Sequence, residues 1–123
     1  MQIQKTYDKV NPMLIYGEVE DMVKRYGGTV DKDKSYKEYN PGGGGLKASI
    51  VATFAVEVAK SMSILGTRKK IVQKEAFNAR IFGKSEGEIK LMIFIDEESI
   101  PLTKAKAMEA DLEFLTKSYE STT

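Results

Sequence analysis

Histidine, cysteine and tryptophan are all absent from this chain of 123 residues. Without histidine the chain lacks the side chain that most often acts as a general base or a metal ligand, and every Ser-His-Asp arrangement is excluded. Without cysteine it has neither a disulfide framework nor thiolate chemistry, which is compatible with a reducing compartment. These absences disfavour an enzyme and predict no cofactor and no metal site. Any catalysis would depend on carboxylate, lysine or tyrosine side chains.

A strong excess of charge of either sign is also missing. The 19 Lys and Arg residues balance 18 Asp and Glu residues, for a net charge of +1. Phosphate contacts normally need a basic excess on one face, so nucleic acid is not the expected partner. A compact basic cluster does occur at Arg68-Lys69-Lys70, but runs of charge are usually solvated.

Long apolar runs are absent as well. No run approaches the roughly 20 residues that span a bilayer, and Met1 to Lys5 lack the apolar region of a secretory signal. The sequence therefore predicts a cytoplasmic protein with no membrane span. Its length and its 41% hydrophobic and 30% charged residues are typical of one soluble globular domain, predicted here as residues 1–123.

Two segments have the periodicity of amphipathic helices. Asn11 is a favoured N-cap and Pro12 suits the first helical position, while Gly27-Gly28 is a typical end, so a helix is predicted over residues 12–26. A second helix is predicted to begin near Ser99-Ile100-Pro101, with an apolar stripe over four turns. The stripe consists of Ala105, Met108, Leu112, Leu115 and Tyr119.

Alternating or β-branched segments predict strands at Ile3 to Tyr7, Ile71 to Phe82 and Glu88 to Asp96, with a hairpin at Gly83 to Gly87 between the last two. The polar segment Thr29 to Tyr39 is predicted as a charged edge strand. Two statements about faces follow from the alternation. Ile71 is expected to share a face with Phe77, Ala79 and Ile81. The strand at 88–96 is expected to be covered on both sides, because Met92 and Phe94 lie opposite Ile89, Leu91, Ile93 and Ile95.

Periodicity alone does not decide between strand and helix for Leu46 to Leu65. β-branched residues crowd the window, which favours a strand over 47–58, and a helix over 47–64 is the alternative. With a strand, the four glycines after Pro41 form the tip of a hairpin. With a helix, Pro41 to Ser49 resembles the phosphate-binding loop of galactokinase-type kinases, which would imply an anion at the start of the helix.

The element order predicts an α+β fold, in which a curved antiparallel sheet of about four to five strands is packed by an N-terminal helix and a long C-terminal helix. Asp96-Glu97-Glu98 could bind a hard cation, but an acidic loop before the last helix is favoured. Tyr36 and Tyr39, flanked by Lys34 and Lys37, come nearest to an aromatic platform for nucleic acid, and an edge strand explains them equally.

A short first strand at Gln2 to Tyr7, a helix entered through Asn11-Pro12, successive antiparallel strands and the closing helix Met108 to Leu115 resemble the helix-grip, START-like superfamily. That resemblance implies an apolar cavity between the last helix and the sheet. A second resemblance is to profilin, in Gly66 to Glu75, Ile93 to Glu97 and the C-terminal helix. It implies a protein-interaction module.

The function predicted first is therefore a non-enzymatic domain that binds an apolar small molecule between the C-terminal helix and the sheet. The alternative is a protein-interaction module, profilin-like or homodimeric, with a filled core. The residues expected to line the ligand site are Phe54, Phe77, Met92, Phe94, Met108 and Leu112.

Overall fold

Six antiparallel strands and two helices make up the fold in residues 1–63, 66–84 and 86–117, which are the parts that the computed structural model describes. The side chains of 59–63, 67–69, 115 and 116 are outside that description. The elements in chain order are β1 Gln2–Asp8, α1 Pro12–Arg25, β2 Thr29–Val30, β3 Tyr36–Asn40, β4 Gly45–Ser63, β5 Gly66–Gly83, β6 Glu88–Ile95 and α2 Leu102–Thr116.

The sheet joins the two ends of the chain. Its order is β1-β6-β5-β4-β2, and β3 also pairs with β4. The first strand lies beside the last, with Gln2 opposite Phe94 and Asp8 opposite Glu88. The predicted α+β fold, an antiparallel sheet packed by an N-terminal and a C-terminal helix, is confirmed. No helix within the described residues is both long enough and apolar enough to cross a membrane.

The predicted edge strand over 29–39 is divided into β2 and β3, which brings the sheet to six strands. The Asp31 carboxylate accepts hydrogen bonds from the amides of Asp33 (3.0 Å) and Lys34 (3.3 Å), and the Ser35 amide donates to the Asp31 carbonyl at 2.9 Å. Asp side chains favour such turns because they offer the backbone an alternative to strand pairing. The prediction of one continuous strand was therefore wrong.

The segment for which strand and helix competed is a strand. β4 runs from Gly45 to Ser63, and Asn40 lies opposite Gly45 across a hairpin in which the Gly43 amide donates to the Asn40 carbonyl at 3.1 Å. The helix alternative was wrong, because side chains branched at Cβ pack well on a pleated sheet and poorly in a helix. The resemblance of Pro41 to Ser49 to a kinase phosphate-binding loop required a helix after the glycines. Because β4 follows them instead, that interpretation was wrong as well.

Both helices pack on one face of the sheet, which we call the core face. Buried side chains from α1, α2 and alternate positions of the strands form one hydrophobic cluster. Leu115 and Tyr119, which were predicted to extend the stripe of α2, lie outside the described side chains. The cluster includes Ile15, Val19, Met22 and Val23 of α1, Ala105, Met108 and Leu112 of α2, and Ile50, Phe54, Phe77, Ile81, Leu91 and Ile93 of the sheet.

The helices also contact each other directly. The Tyr26 hydroxyl, just past the end of α1, donates a hydrogen bond of 2.8 Å to Asp111 Oδ2 on α2. This bond raises the pKa of Tyr26 above its ordinary value, because the carboxylate stabilises the protonated phenol. Arg25 Nη2 lies 3.8 Å from the same carboxylate oxygen. The contact fixes the position of α2 relative to α1.

A β-bulge in β5 changes which residues face the core. Ala52 lies opposite Phe77 and Thr53 lies opposite Glu75, so Ala76 is the extra residue. Because one extra residue reverses the alternation, Ile71 does not share a face with Phe77, and its side chain is 65% exposed. The predicted common face was therefore wrong at Ile71, although Phe77, Ala79 and Ile81 do face the core.

The N-cap of α1 gives a first testable prediction. The Asn11 side chain accepts a hydrogen bond of 3.0 Å from the Met13 amide, and the Tyr39 hydroxyl donates to the same oxygen at 3.3 Å. We expect Asn11→Ala to lower the free energy of unfolding by about 1 kcal/mol, since it removes the partner of an otherwise unpaired amide.

Urea unfolding followed by circular dichroism measures this loss. Tyr39→Phe is the control, because it removes only the exposed hydrogen bond and should cost less than about 0.5 kcal/mol. Equal losses in the two variants would show that the cap does not stabilise α1 as described.

Candidate functional site

The face of the sheet opposite the helices, which we call the outer face, carries the candidate site. Strand alternation places there the residues that do not point to the core, and the registers of the strand pairs show which of them are neighbours. Those nearest Phe82 and Phe94 are Gln2, Gln4, Thr6 and Asp8 of β1, Glu88, Lys90, Met92 and Phe94 of β6, Asn78, Arg80 and Phe82 of β5, Lys47, Ser49 and Val51 of β4, and Tyr36 and Glu38 of β3.

Aromatic side chains are exposed on this face. Phe82 is 42% exposed, Phe94 49% and Tyr36 50%, and Met92 between the two phenylalanines is half-buried. The prediction that the strand at 88–96 is covered on both sides was therefore wrong. Phe94 is exposed because α1 and α2 both pack on the core face, and no described element covers the outer face at this residue.

Two clefts meet at Phe82. One has a volume of about 620 Å³, and its lining includes Tyr36, Lys47, Arg80, Phe82 and Glu88. The second, of about 480 Å³, lies toward β1 and is also lined by Phe82. Volumes of roughly 300–1,000 Å³ are typical of small-molecule sites. The exposed ring of Phe82 therefore borders space on either side that a ligand could occupy.

Cations surround this ring across the strands. Lys47 of β4 and Lys90 of β6 lie opposite Phe82 on its two sides, and Arg80 precedes it by two residues on the same face. In the described part of the chain, Lys47 and Arg80 have no ion pair, whereas Lys90 Nζ lies 3.9 Å from a Glu88 carboxylate oxygen. Positive charge near Phe82 is thus available to an anion.

Carboxylates also lie on the outer face. Asp8 and Glu88 face each other at one end of β1 and β6, and Glu88 lines both clefts beside Phe82. Glu38 of β3 lies opposite Lys47, and Glu75 and Asp96 line a third cleft, of about 280 Å³, beside Phe94. The part of the face at Val51 is occupied by Ser35, whose Oγ accepts a hydrogen bond of 2.9 Å from the Val51 amide. The exposed rings and cations therefore lie along β5 and β6, with Glu88 near one end of this strip and Glu75 and Asp96 near the other.

Comparison of the chain with protein-family models, with curated proteins and with solved structures found no match. The START-like and profilin resemblances accordingly stay predictions, and the case for a site depends on the geometry.

The six residues predicted to line a ligand site do not come together. Phe54, Phe77, Met108 and Leu112 are at most 3% exposed and belong to the hydrophobic cluster of the core face. Met92 and Phe94 lie on the outer face, separated from the other four by the thickness of the sheet.

The acidic group before α2 is occupied by local contacts. Asp96 Oδ1 accepts from the Glu98 amide at 3.1 Å, and Asp96 Oδ2 accepts from the Ser99 hydroxyl at 2.9 Å. Glu97 lies 3.4 Å from the N-terminal ammonium group. Among the described residues, no three acidic side chains are grouped closely enough to hold a metal ion. The geometry supports the interpretation of an acidic loop.

Three residues of the outer face were not identified from the sequence: Lys47, Arg80 and Phe82. A signal for two of them was present, because alternation that places Ala79 and Ile81 in the core sends Arg80 and Phe82 outward. The basic cluster that was noted, Arg68-Lys69-Lys70, lies elsewhere on β5. Lys70 is exposed, and the side chains of the other two are outside the described set.

Proposed function

We propose that this protein is a non-enzymatic binding module whose ligand or partner docks on the outer face of the sheet. The observation that carries the proposal is the exposure of Tyr36, Phe82 and Phe94 on a face that neither helix covers, with two clefts beside Phe82 and a smaller one beside Phe94. Folding normally buries large aromatic rings, and a group of them left at the surface is characteristic of binding sites.

A site between α2 and the sheet has weaker support. The helix α2 does pack on the sheet, as a site of that kind requires. However, Phe77, Met108 and Leu112 are only 0–2% exposed and belong to one hydrophobic cluster. Interiors of this kind are close-packed, so an apolar molecule would have to displace core side chains to enter.

A fragment screen by ¹H–¹⁵N and methyl NMR tests the proposal on the whole chain. Small aromatic and acidic fragments are expected to shift the amide signals of Lys47, Arg80 and Phe82. Shifts concentrated on the methyl groups of Met108 and Leu112 would instead place the site between α2 and the sheet and overturn the proposal. Absence of any binding fragment would also count against it.

A pair of phenylalanine variants sharpens that screen. Phe82→Thr removes the ring between the two clefts and retains a residue suited to a strand, so fragment binding should fall at least about tenfold. Phe114→Gln is the control, because Phe114 is 84% exposed but lies on α2, away from the outer face. Equal losses in both variants would mean that binding follows exposed apolar surface in general.

A further inference from the structure

We infer that the occupant of the outer face is single-stranded nucleic acid. This inference rests on the proposed function, since it assigns a ligand class to the same face. It concerns the strip along β5 and β6, where exposed rings, cations and side-chain amides lie together. Each of these three groups has a counterpart in a single strand: the faces of the bases, the phosphates and the base edges.

The two exposed phenylalanine rings offer two separate positions for stacked bases. Phe82 lies opposite Lys90, and Phe94 follows Lys90 by four residues on β6. At about 3.3 Å per residue, the two phenylalanines are separated by about 13 Å along the strands. With 42% and 49% of their surfaces exposed, both can contact bases that are not paired. A duplex would not present its bases to them.

The cations lie within reach of a backbone that follows these rings. Neighbouring strands are about 4.8 Å apart, so Lys47 and Lys90 flank Phe82 closely on its two sides. Arg80, between the two phenylalanines along β5, has no ion pair among the described residues. Phosphates are the usual partners of such cations beside aromatic rings.

Side-chain amides complete the strip. Asn78 and Gln2 lie opposite Phe94 on its two sides, and Gln4 lies opposite Met92. Each amide offers both donors and an acceptor, as hydrogen bonding to base edges requires. Near Phe94 the face is therefore polar, with the carboxylates of Glu75 and Asp96 on the adjoining cleft, whereas near Phe82 three cations outnumber the carboxylate of Glu88.

Electrostatics disfavour a second copy of the chain as the occupant. In a two-fold contact the residues near the axis meet their own copies, so with Arg80 near the axis two guanidinium groups would be desolvated against each other. The carboxylates of Asp8, Glu38 and Glu88 lie around the cations, so an anionic strand would follow the line of Arg80 and Phe82 between them. The net charge of +1 is a sum over the whole chain and does not show that Lys47, Arg80 and Lys90 are grouped around Phe82.

Fluorescence anisotropy with a labelled 12-mer of deoxythymidine tests the inference. For single strands the logarithm of the association constant falls by about 0.7 for each phosphate neutralised, per unit of log salt concentration. Three cations predict a slope of about −2, and Arg80→Gln should reduce its magnitude by about 0.7. Phe82→Thr should weaken binding about 5- to 150-fold, which is the usual loss of one stacked base.

Matched variants and ligands separate the possible outcomes. Lys106→Gln and Phe114→Gln change exposed residues of α2 and should leave the affinity for the 12-mer unchanged. A duplex of the same length should bind at least about tenfold more weakly. Circular dichroism of each variant confirms that it is folded.

Failure of this inference is distinguishable from failure of the proposed function. If the 12-mer does not bind, or loses equal affinity in the control variants, nucleic acid is not the ligand. If a poly-glutamate peptide or self-association shifts the outer-face amide signals instead, the binding face stands and this occupant is wrong. If the 12-mer binds but shifts only signals of α2, both proposals are overturned.

Discussion

Phe77→Ala is expected to lower the free energy of unfolding by about 3–5 kcal/mol, because it opens a cavity that the surrounding core cannot fully close. Phe77 is 2% exposed, lies opposite Ala52 and Ile95, and belongs to the cluster between the sheet and the helices. A loss of this size is a large part of the stability of a small domain. Urea unfolding followed by fluorescence of the tyrosines and by circular dichroism measures it.

Phe94→Ala is the matched control, since Phe94 lies one position away across the β5–β6 pair but points to the outer face and is 49% exposed. It should cost less than about 1 kcal/mol. If Phe77→Ala yields no folded protein, Phe77→Leu should give a smaller loss that can be measured. Losses of similar size for Phe77→Ala and Phe94→Ala would contradict the assignment of filled and open faces.

Gly45→Ala is expected to cost at least about 2 kcal/mol, from two sources. Gly45 begins β4 with φ of +78°, a conformation that residues with a Cβ adopt only at a cost of about 1–2 kcal/mol. A Cβ at this position would also overlap the carbonyl oxygen of Gly83 on β5, which is backbone and has no rotamer to change. Urea denaturation of the variant measures the combined effect.

Gly44→Ala is the control for that prediction. Gly44 is the preceding residue, it lies in the same hairpin, and a Cβ there would have no heavy atom within 4 Å. Its substitution should change the free energy of unfolding by no more than about 0.5 kcal/mol. A loss of 2 kcal/mol or more for Gly44→Ala would mean that the glycine run acts through chain flexibility and not through the close approach of β4 and β5.

The predictions for Phe77 and Gly45 concern β4 and β5, which also carry part of the candidate site. The cleft beside Phe82 is lined by Gly44 and Gly83 as well as by Tyr36, so the close approach of β4 and β5 at Gly45 shapes one end of it. The filled core beneath β5 holds the strand rigid while its outward residues Arg80 and Phe82 face solvent. A rigid platform loses little conformational entropy when it binds a ligand.

Local signals were enough to predict most elements. The start of α1 could be predicted because Asn11 and Pro12 act within one turn of the chain, and the apolar periodicity of α2 is visible in three described residues, Ala105, Met108 and Leu112. β1 and β6 followed from alternation. Asp31 was a local signal too, since its side chain caps the turn that divides β2 from β3, and it was missed among other charges.

The candidate site could not be predicted in the same way. Sequence reasoning looked for aromatic and basic residues interleaved along one strand, as at Tyr36 and Lys37. The arrangement at Phe82 is instead formed across strands, by Lys47 and Lys90, which are 35 and 8 residues away in the chain and become neighbours only through the register of the sheet.

The fold class, the extent of the two helices to within a few residues, and the alternation that divides each strand into two sets of side chains could all be predicted from the amino acids. Which of the two sets is covered could not, because it depends on the packing of distant elements. Alternation is a property of one strand, whereas coverage depends on where α1 and α2 pack, and both lie on the core face. That choice buries Phe77 and leaves Phe82 and Phe94 exposed.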